Sequence, residues 1–97
     1  MKTFTYHGKK VILKAETYSS NNTLAVAMCD KNGEILDIIT TNLTDGMANS
    51  SMAYLDTNNY PDIAKWMEKN NLALPMYYEG RSGFCSYPLY TILTSEF

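Results

Sequence analysis

The sequence predicts an α+β fold: an antiparallel sheet of about five strands with one short helix packed on a face. Three features carry this expectation. Two hairpin signals occupy the N-terminal half, a single apolar stripe at helical spacing follows, and a β-branched and aromatic run lies near the C-terminus. With 97 residues, the chain reads as one domain, 1–97, built round one core.

The first hairpin pairs Thr3 to Tyr6 with Lys10 to Tyr18 around the turn-forming His7-Gly8, and its Lys10 and Lys14 side is expected to face water. A polar cluster, Ser19 to Asn22, ends that unit. The second hairpin joins Leu24–Cys29 to a strand over Ile35–Leu43 through Asp30-Lys31-Asn32-Gly33, where Asn-Gly tolerates the positive φ of a tight turn. Leu43 to Met52 shows neither a period of two nor one near 3.6, which predicts a loop. Ala53 to Leu55 is short enough for a brief strand leading to Asp56-Thr57-Asn58-Asn59, whose side-chain oxygens suit a helix start.

A helix over Pro61–Asn70 places Ile63, Trp66 and Met67 on one apolar stripe, with Pro61 in the first turn, where a missing N–H costs nothing. Lys65 and Lys69 complement the C-terminal end of its dipole. Leu74 to Tyr78 is extended, Gly80-Arg81-Ser82-Gly83 turns or loops, and Phe84 to Leu93 forms the last strand. Pro88 limits that strand to an edge position, a bulge, or two short pieces.

Apolar residues make up 45% of the chain and aromatics 12%, so it should fold without a partner. Met1 to Tyr6 lacks the apolar run of a signal peptide, and no later stretch has the roughly 18 apolar residues of a membrane span. The expected location is cytoplasmic, with no membrane partner. Cys29 and Cys85 each lie inside an apolar run, as buried thiols in a reducing compartment would.

No catalytic, cofactor or metal site is expected. His7 is the only histidine and stands at a turn, and no local signature joins it to Cys29 or Cys85 as a nucleophile pair. One histidine and two distant cysteines give no zinc spacing. Asp30, Glu34 and Asp37 surround one hairpin without the alternating oxygen ligands and closing glutamate of a calcium loop. Gly80 to Gly83 lacks the lysine and the strand-to-helix setting of a phosphate loop.

Charge is unevenly spread. Lys2, Lys9, Lys10 and Lys14 make the first hairpin basic, whereas Glu16 to Asp62 holds seven acids against Lys31 alone, a net charge of −6. A face built from Asp30, Glu34 and Asp37 would repel nucleic acid and attract a basic protein surface. Direct nucleic-acid binding is therefore not expected. Arg81, the only arginine, and Tyr87, within the aromatic run Tyr77, Tyr78, Phe84, Tyr87 and Tyr90, complete the expected partner-binding set, since both residue types are enriched at binding hot spots.

Asn42-Leu43-Thr44, followed by Ala53-Tyr54-Leu55-Asp56-Thr57-Asn58-Asn59, the helix with Trp66, and Gly80-Arg81-Ser82-Gly83-Phe84-Cys85-Ser86-Tyr87-Pro88-Leu89-Tyr90, together resemble a family of small proteins from phages and conjugative elements of Firmicutes and related gut bacteria. The likeness covers the C-terminal half to two thirds of the chain. It implies no enzymatic activity. It implies a counter-defence role, of which an anti-CRISPR inhibitor of an effector nuclease, blocking guide RNA or DNA engagement, is the leading form. The alternative is an accessory protein of element maintenance or transfer, acting through protein contacts or as a homodimer. Likeness of setting and size does not by itself establish either.

Overall fold

The structure, a computed structural model, describes residues 2–97. Strands β1 (Phe4–Tyr6), β2 (Lys9–Thr17), β3 (Leu24–Cys29) and β4 (Ile35–Ile38) form one antiparallel sheet in the order β1-β2-β3-β4. Strands β5 (Thr40–Thr41), β6 (Met52–Leu55), β7 (Ala73–Ser82) and β8 (Cys85–Ile92) form a second, in the order β5-β6-β8-β7. The helix α1 (Ile63–Lys69) and a closing 3-10 turn at Thr94–Glu96 complete the described elements. The fold is thus mostly β, with one short helix and two four-stranded sheets, in place of the single five-stranded sheet expected.

The division is made at Ile39. The expected strand over residues 35–43 runs straight through this residue, but its amide donates to the Val26 carbonyl in the first sheet while its carbonyl accepts from the Asp56 amide in the second, each at 2.9 Å. A period-two pattern records which face a side chain takes and is silent on which neighbour the backbone chooses.

The first hairpin turns as expected, with His7 at φ 48° and Gly8 at φ 78°, the conformation of a two-residue turn. In the second hairpin only Gly33 takes a positive φ, and Asp30 shapes the loop instead. Its Oδ1 accepts from the amides of Asn32 at 2.8 Å and Glu34 at 3.0 Å. Lys14 is half-buried, its Nζ donating to the Gly33 carbonyl at 3.1 Å, so this lysine serves the neighbouring turn rather than open solvent.

The main core draws on both sheets and the helix: Val11 and Leu13 of β2, Val26 and Met28 of β3, Leu55 of β6, Ile92 of β8, and Ile63 and Met67 of α1. Ile63 and Met67 are fully buried, and such a side chain contributes roughly 1.5–3 kcal/mol by leaving water. The helix is shorter than its stripe suggested. Asp62 stands at its N-cap without a side-chain cap bond, and Pro61 precedes it. Asp56 organises the preceding turn, accepting from the Asn59 amide at 3.2 Å and its side-chain Nδ2 at 2.8 Å.

The loop after β5 folds back over the outer face of the second sheet. Leu43 packs there with Tyr54 and Leu89, and the Tyr54 hydroxyl donates to Asp45 at 2.5 Å. Gly80 lies beneath them, where a Cβ would come within 2.6 Å of Leu43 and 2.7 Å of the Tyr54 ring.

Candidate functional site

The residues after α1 form one long hairpin rather than an extended segment, a loop and a last strand. β7 and β8 pair from Ala73↔Ile92 to Ser82↔Cys85, so Gly80, Arg81 and Ser82 belong to a strand, and the turn is made at Gly83 (φ 61°) and Phe84. β8 is an inner strand, and of the three settings expected for Pro88, an edge, a bulge or a break, the bulge is the one found. Pro88 lies beyond the last β6–β8 pair, Tyr54↔Leu89, and faces Glu79 at the end of a bulge, so its missing N–H takes no bond from the β6 side.

The bulge itself occupies Met76, Tyr77 and Tyr78, three residues of β7 set against Leu89 alone between the pairs Pro75↔Tyr90 and Glu79↔Pro88. Tyr77 takes φ 57° to make it. A left-handed conformation costs a residue with a Cβ about 1–2 kcal/mol. The side chain so placed is 92% exposed.

It is one of several exposed apolar groups on the hairpin. Phe84 at the tip is fully exposed, and Leu74, Met76 and Tyr78 are exposed along β7, the edge strand of its sheet. Exposed apolar groups and the unpaired backbone groups of an edge strand are both features that a contact surface can use.

Beside the bulge lies a cleft of about 520 Å³, lined by Tyr77, Tyr78 and Tyr90, by Pro75, Pro88 and Leu89, and by the carboxylates of Glu68 and Glu79. The helix supplies Glu68, whose Oε2 accepts from the Tyr90 hydroxyl at 2.6 Å. Burial, and then this bond to a carboxylate, push the Tyr90 hydroxyl up to about 12, so it remains a donor at neutral pH. A smaller hollow of about 360 Å³ under the loop after β5 has no charged residue in its lining.

The expected partner-binding residues fall on two hairpins of different sheets. Asp30, Glu34 and Asp37 lie along β3–β4. Asp30 is held in its turn, and Asp37 accepts from the Tyr60 hydroxyl and from the Ile38 amide, leaving Glu34 as the exposed acid without a side-chain bond among the described residues. The Asp37 bond, then burial, raise the Tyr60 hydroxyl to about 12. Arg81 and Tyr87 lie on β7–β8. Arg81 is exposed and paired in register with Ser86, while Tyr87 is half-buried against Leu43, Tyr54 and Leu89.

His7 is exposed at its turn, stacked on Tyr6 with ring centroids 4.1 Å apart, and its Nε2 lies 2.6 Å from Asp62 Oδ2. Tyr6 donates to the other oxygen at 2.7 Å. These two bonds hold the Asp62 carboxyl below its ordinary value, the His7 contact contributing most. Cys29 is buried and Cys85 half-buried, both as free thiols. Among the described residues, no three His, Cys, Asp or Glu side chains gather as metal ligands would, and no helix is long and apolar enough to cross a membrane.

Sequence reasoning missed Glu68 and Glu79 as site residues. The aromatic run signalled the strand that carries Glu79, but Glu68 lies on the helix eleven residues earlier, and no local pattern sets the two beside one cleft. A family model described as "Domain of unknown function (DUF4313)" matches residues 12–96. No match was found among curated proteins or among solved structures.

Proposed function

The chain belongs to the DUF4313 family, and we propose that it is a non-enzymatic protein-binding inhibitor from a mobile genetic element, directed at a CRISPR effector nuclease. The observation that carries the binding reading is the β7–β8 hairpin, which sets a fully exposed Phe84 at its tip and a 92% exposed Tyr77 on its edge strand with Leu74, Met76 and Tyr78. Leaving these groups in water is unfavourable, and a partner surface would remove them from it. Exposed Glu34 and the other acids of β3–β4 would orient a basic partner on approach, in the way that charge complementarity speeds encounter. The nuclease target rests on the resemblance to proteins of phages and conjugative elements.

The edge position of β7 favours a second reading, an accessory protein of element maintenance that pairs with a copy of itself along this strand. One experiment separates the two. A purified effector is assayed for DNA cleavage with the chain added before or after guide loading, and in parallel with the Phe84→Ala/Leu74→Ala variant, which leaves the residues around the bulge untouched. Inhibition that the variant loses, its circular dichroism unchanged, is the expected result. Unimpaired cleavage, with concentration-dependent dimerisation in sedimentation equilibrium, would replace the inhibitor with the self-pairing protein.

A further inference from the structure

We infer that the cleft beside the β7 bulge is a receptor for an arginine side chain of the partner protein, an inference that rests on the protein-binding reading and gives that surface its chemistry.

Three tyrosines, Tyr77, Tyr78 and Tyr90, contribute to its lining, and none of the lining residues is basic. Aromatic faces attract a cation through the ring quadrupole, by about 0.5–1 kcal/mol at exposed sites and about 2 where water is excluded. Two carboxylates supply the matching charge. Glu68 spends one oxygen on the Tyr90 hydroxyl, which leaves Oε1 free to accept from a guanidinium. Glu79 is exposed, and the ion pairs among the described residues are Lys2 with Glu96 and His7 with Asp62, so neither Arg81 nor a lysine of the helix lies within ion-pair distance of it.

Such a lining selects among cations. A guanidinium is planar and weakly hydrated, stacks on a phenol ring, and presents forked donors to a carboxylate, whereas an ammonium offers a compact, strongly hydrated charge. The volume of about 520 Å³ accommodates a side chain of that length. Tyr77 contributes to the lining from the bulge, at φ 57° and 92% exposed, so its ring is open to a ligand from solvent.

The inference is tested by two-dimensional NMR of the ¹⁵N-labelled chain titrated with acetyl-Gly-Arg-Gly-amide, alongside the citrulline and lysine counterparts. Saturable shifts confined to Glu68, Tyr77 to Glu79 and Tyr90 are expected. The neutral citrulline peptide should bind about tenfold more weakly, since the charge-assisted bonds and the cation–π contact are both removed. Glu79→Gln and Tyr77→Ala, each first shown to retain the native spectrum, should weaken arginine binding by about three- to tenfold. Equal affinity for the citrulline peptide, for the lysine peptide, or in both variants would overturn the arginine site, as would shifts scattered away from the cleft. Those results leave the hairpin reading to its own test, because loss of inhibition on substituting Phe84 does not depend on the cleft.

Discussion

The indole N–H of Trp66 donates to the Thr5 carbonyl at 2.8 Å, tying the helix to the outermost strand of the first sheet. Its ring meets Tyr6 edge-on at 5.1 Å between centroids and Phe4 at 6.2 Å. β1 has only three residues, so the indole bond and the one from the Tyr6 hydroxyl to Asp62 both join it to the helix side. Trp66→Phe should cost about 1 kcal/mol through the lost bond, and Trp66→Ala about 3 kcal/mol through the lost packing as well. Urea denaturation followed by far-ultraviolet circular dichroism measures both.

Gly80 is held to its identity by space rather than by backbone freedom. A methyl there would meet the Leu43 side chain at 2.6 Å and the Tyr54 ring at 2.7 Å, and Tyr54 is fully buried. Gly80→Ala should therefore destabilise the fold by about 1–3 kcal/mol, as overpacking does. Thermal melting of the variant would show it, and an unchanged transition would mean that the loop over the second sheet yields freely.

The His7–Asp62 contact predicts a pH dependence. The folded carboxyl of Asp62 sits below its ordinary value of 3.8, so its contribution is present above that value and vanishes as pH falls through the lowered folded one. The two side chains are 66% and 51% exposed, which keeps the effect to about 1 kcal/mol or less. Melting temperatures of the native chain and Asp62→Asn, compared from pH 2 to 7, should converge at the acid end and separate above pH 4.

The acids of the β3–β4 hairpin should divide into two kinds. Asp30 holds two backbone amides of its turn, so Asp30→Ala is expected to cost about 1 kcal/mol. Glu34→Lys should change stability by no more than about 0.5 kcal/mol, because its side chain is exposed and unbonded among the described residues. Chemical denaturation of the two variants distinguishes them, and makes Glu34→Lys the clean probe of charge in any binding assay.

Both N-terminal hairpins and the helical stripe were legible in the sequence because their signals are local. His7-Gly8, Asp30 to Gly33, and Ile63 with Met67 each specify structure within a few residues of themselves. The partition into two sheets was not legible, since it depends on which carbonyl the Ile39 amide meets. The C-terminal hairpin was obscured for a different reason. Gly80, which looks like a turn residue, is instead the small residue that a close aromatic contact requires, and the tight turn lies three positions later. Of the binding residues expected, Arg81 and Tyr87 lie on the hairpin that carries the exposed apolar surface, though Tyr87 itself is partly taken up by packing. Glu68 and Glu79 could not be grouped, because one lies on the helix and the other on a strand, and no local pattern sets the two beside one cleft.

The peptide groups at Ile39 have a dynamic consequence. With its amide bonded into one sheet and its carbonyl into the other, neither sheet can open past this residue without straining a hydrogen bond of its neighbour. The amides of Ile39 and Asp56 should exchange with deuterium at one common, slow rate, and the two sheets should lose protection as a single cooperative unit rather than as separate ones.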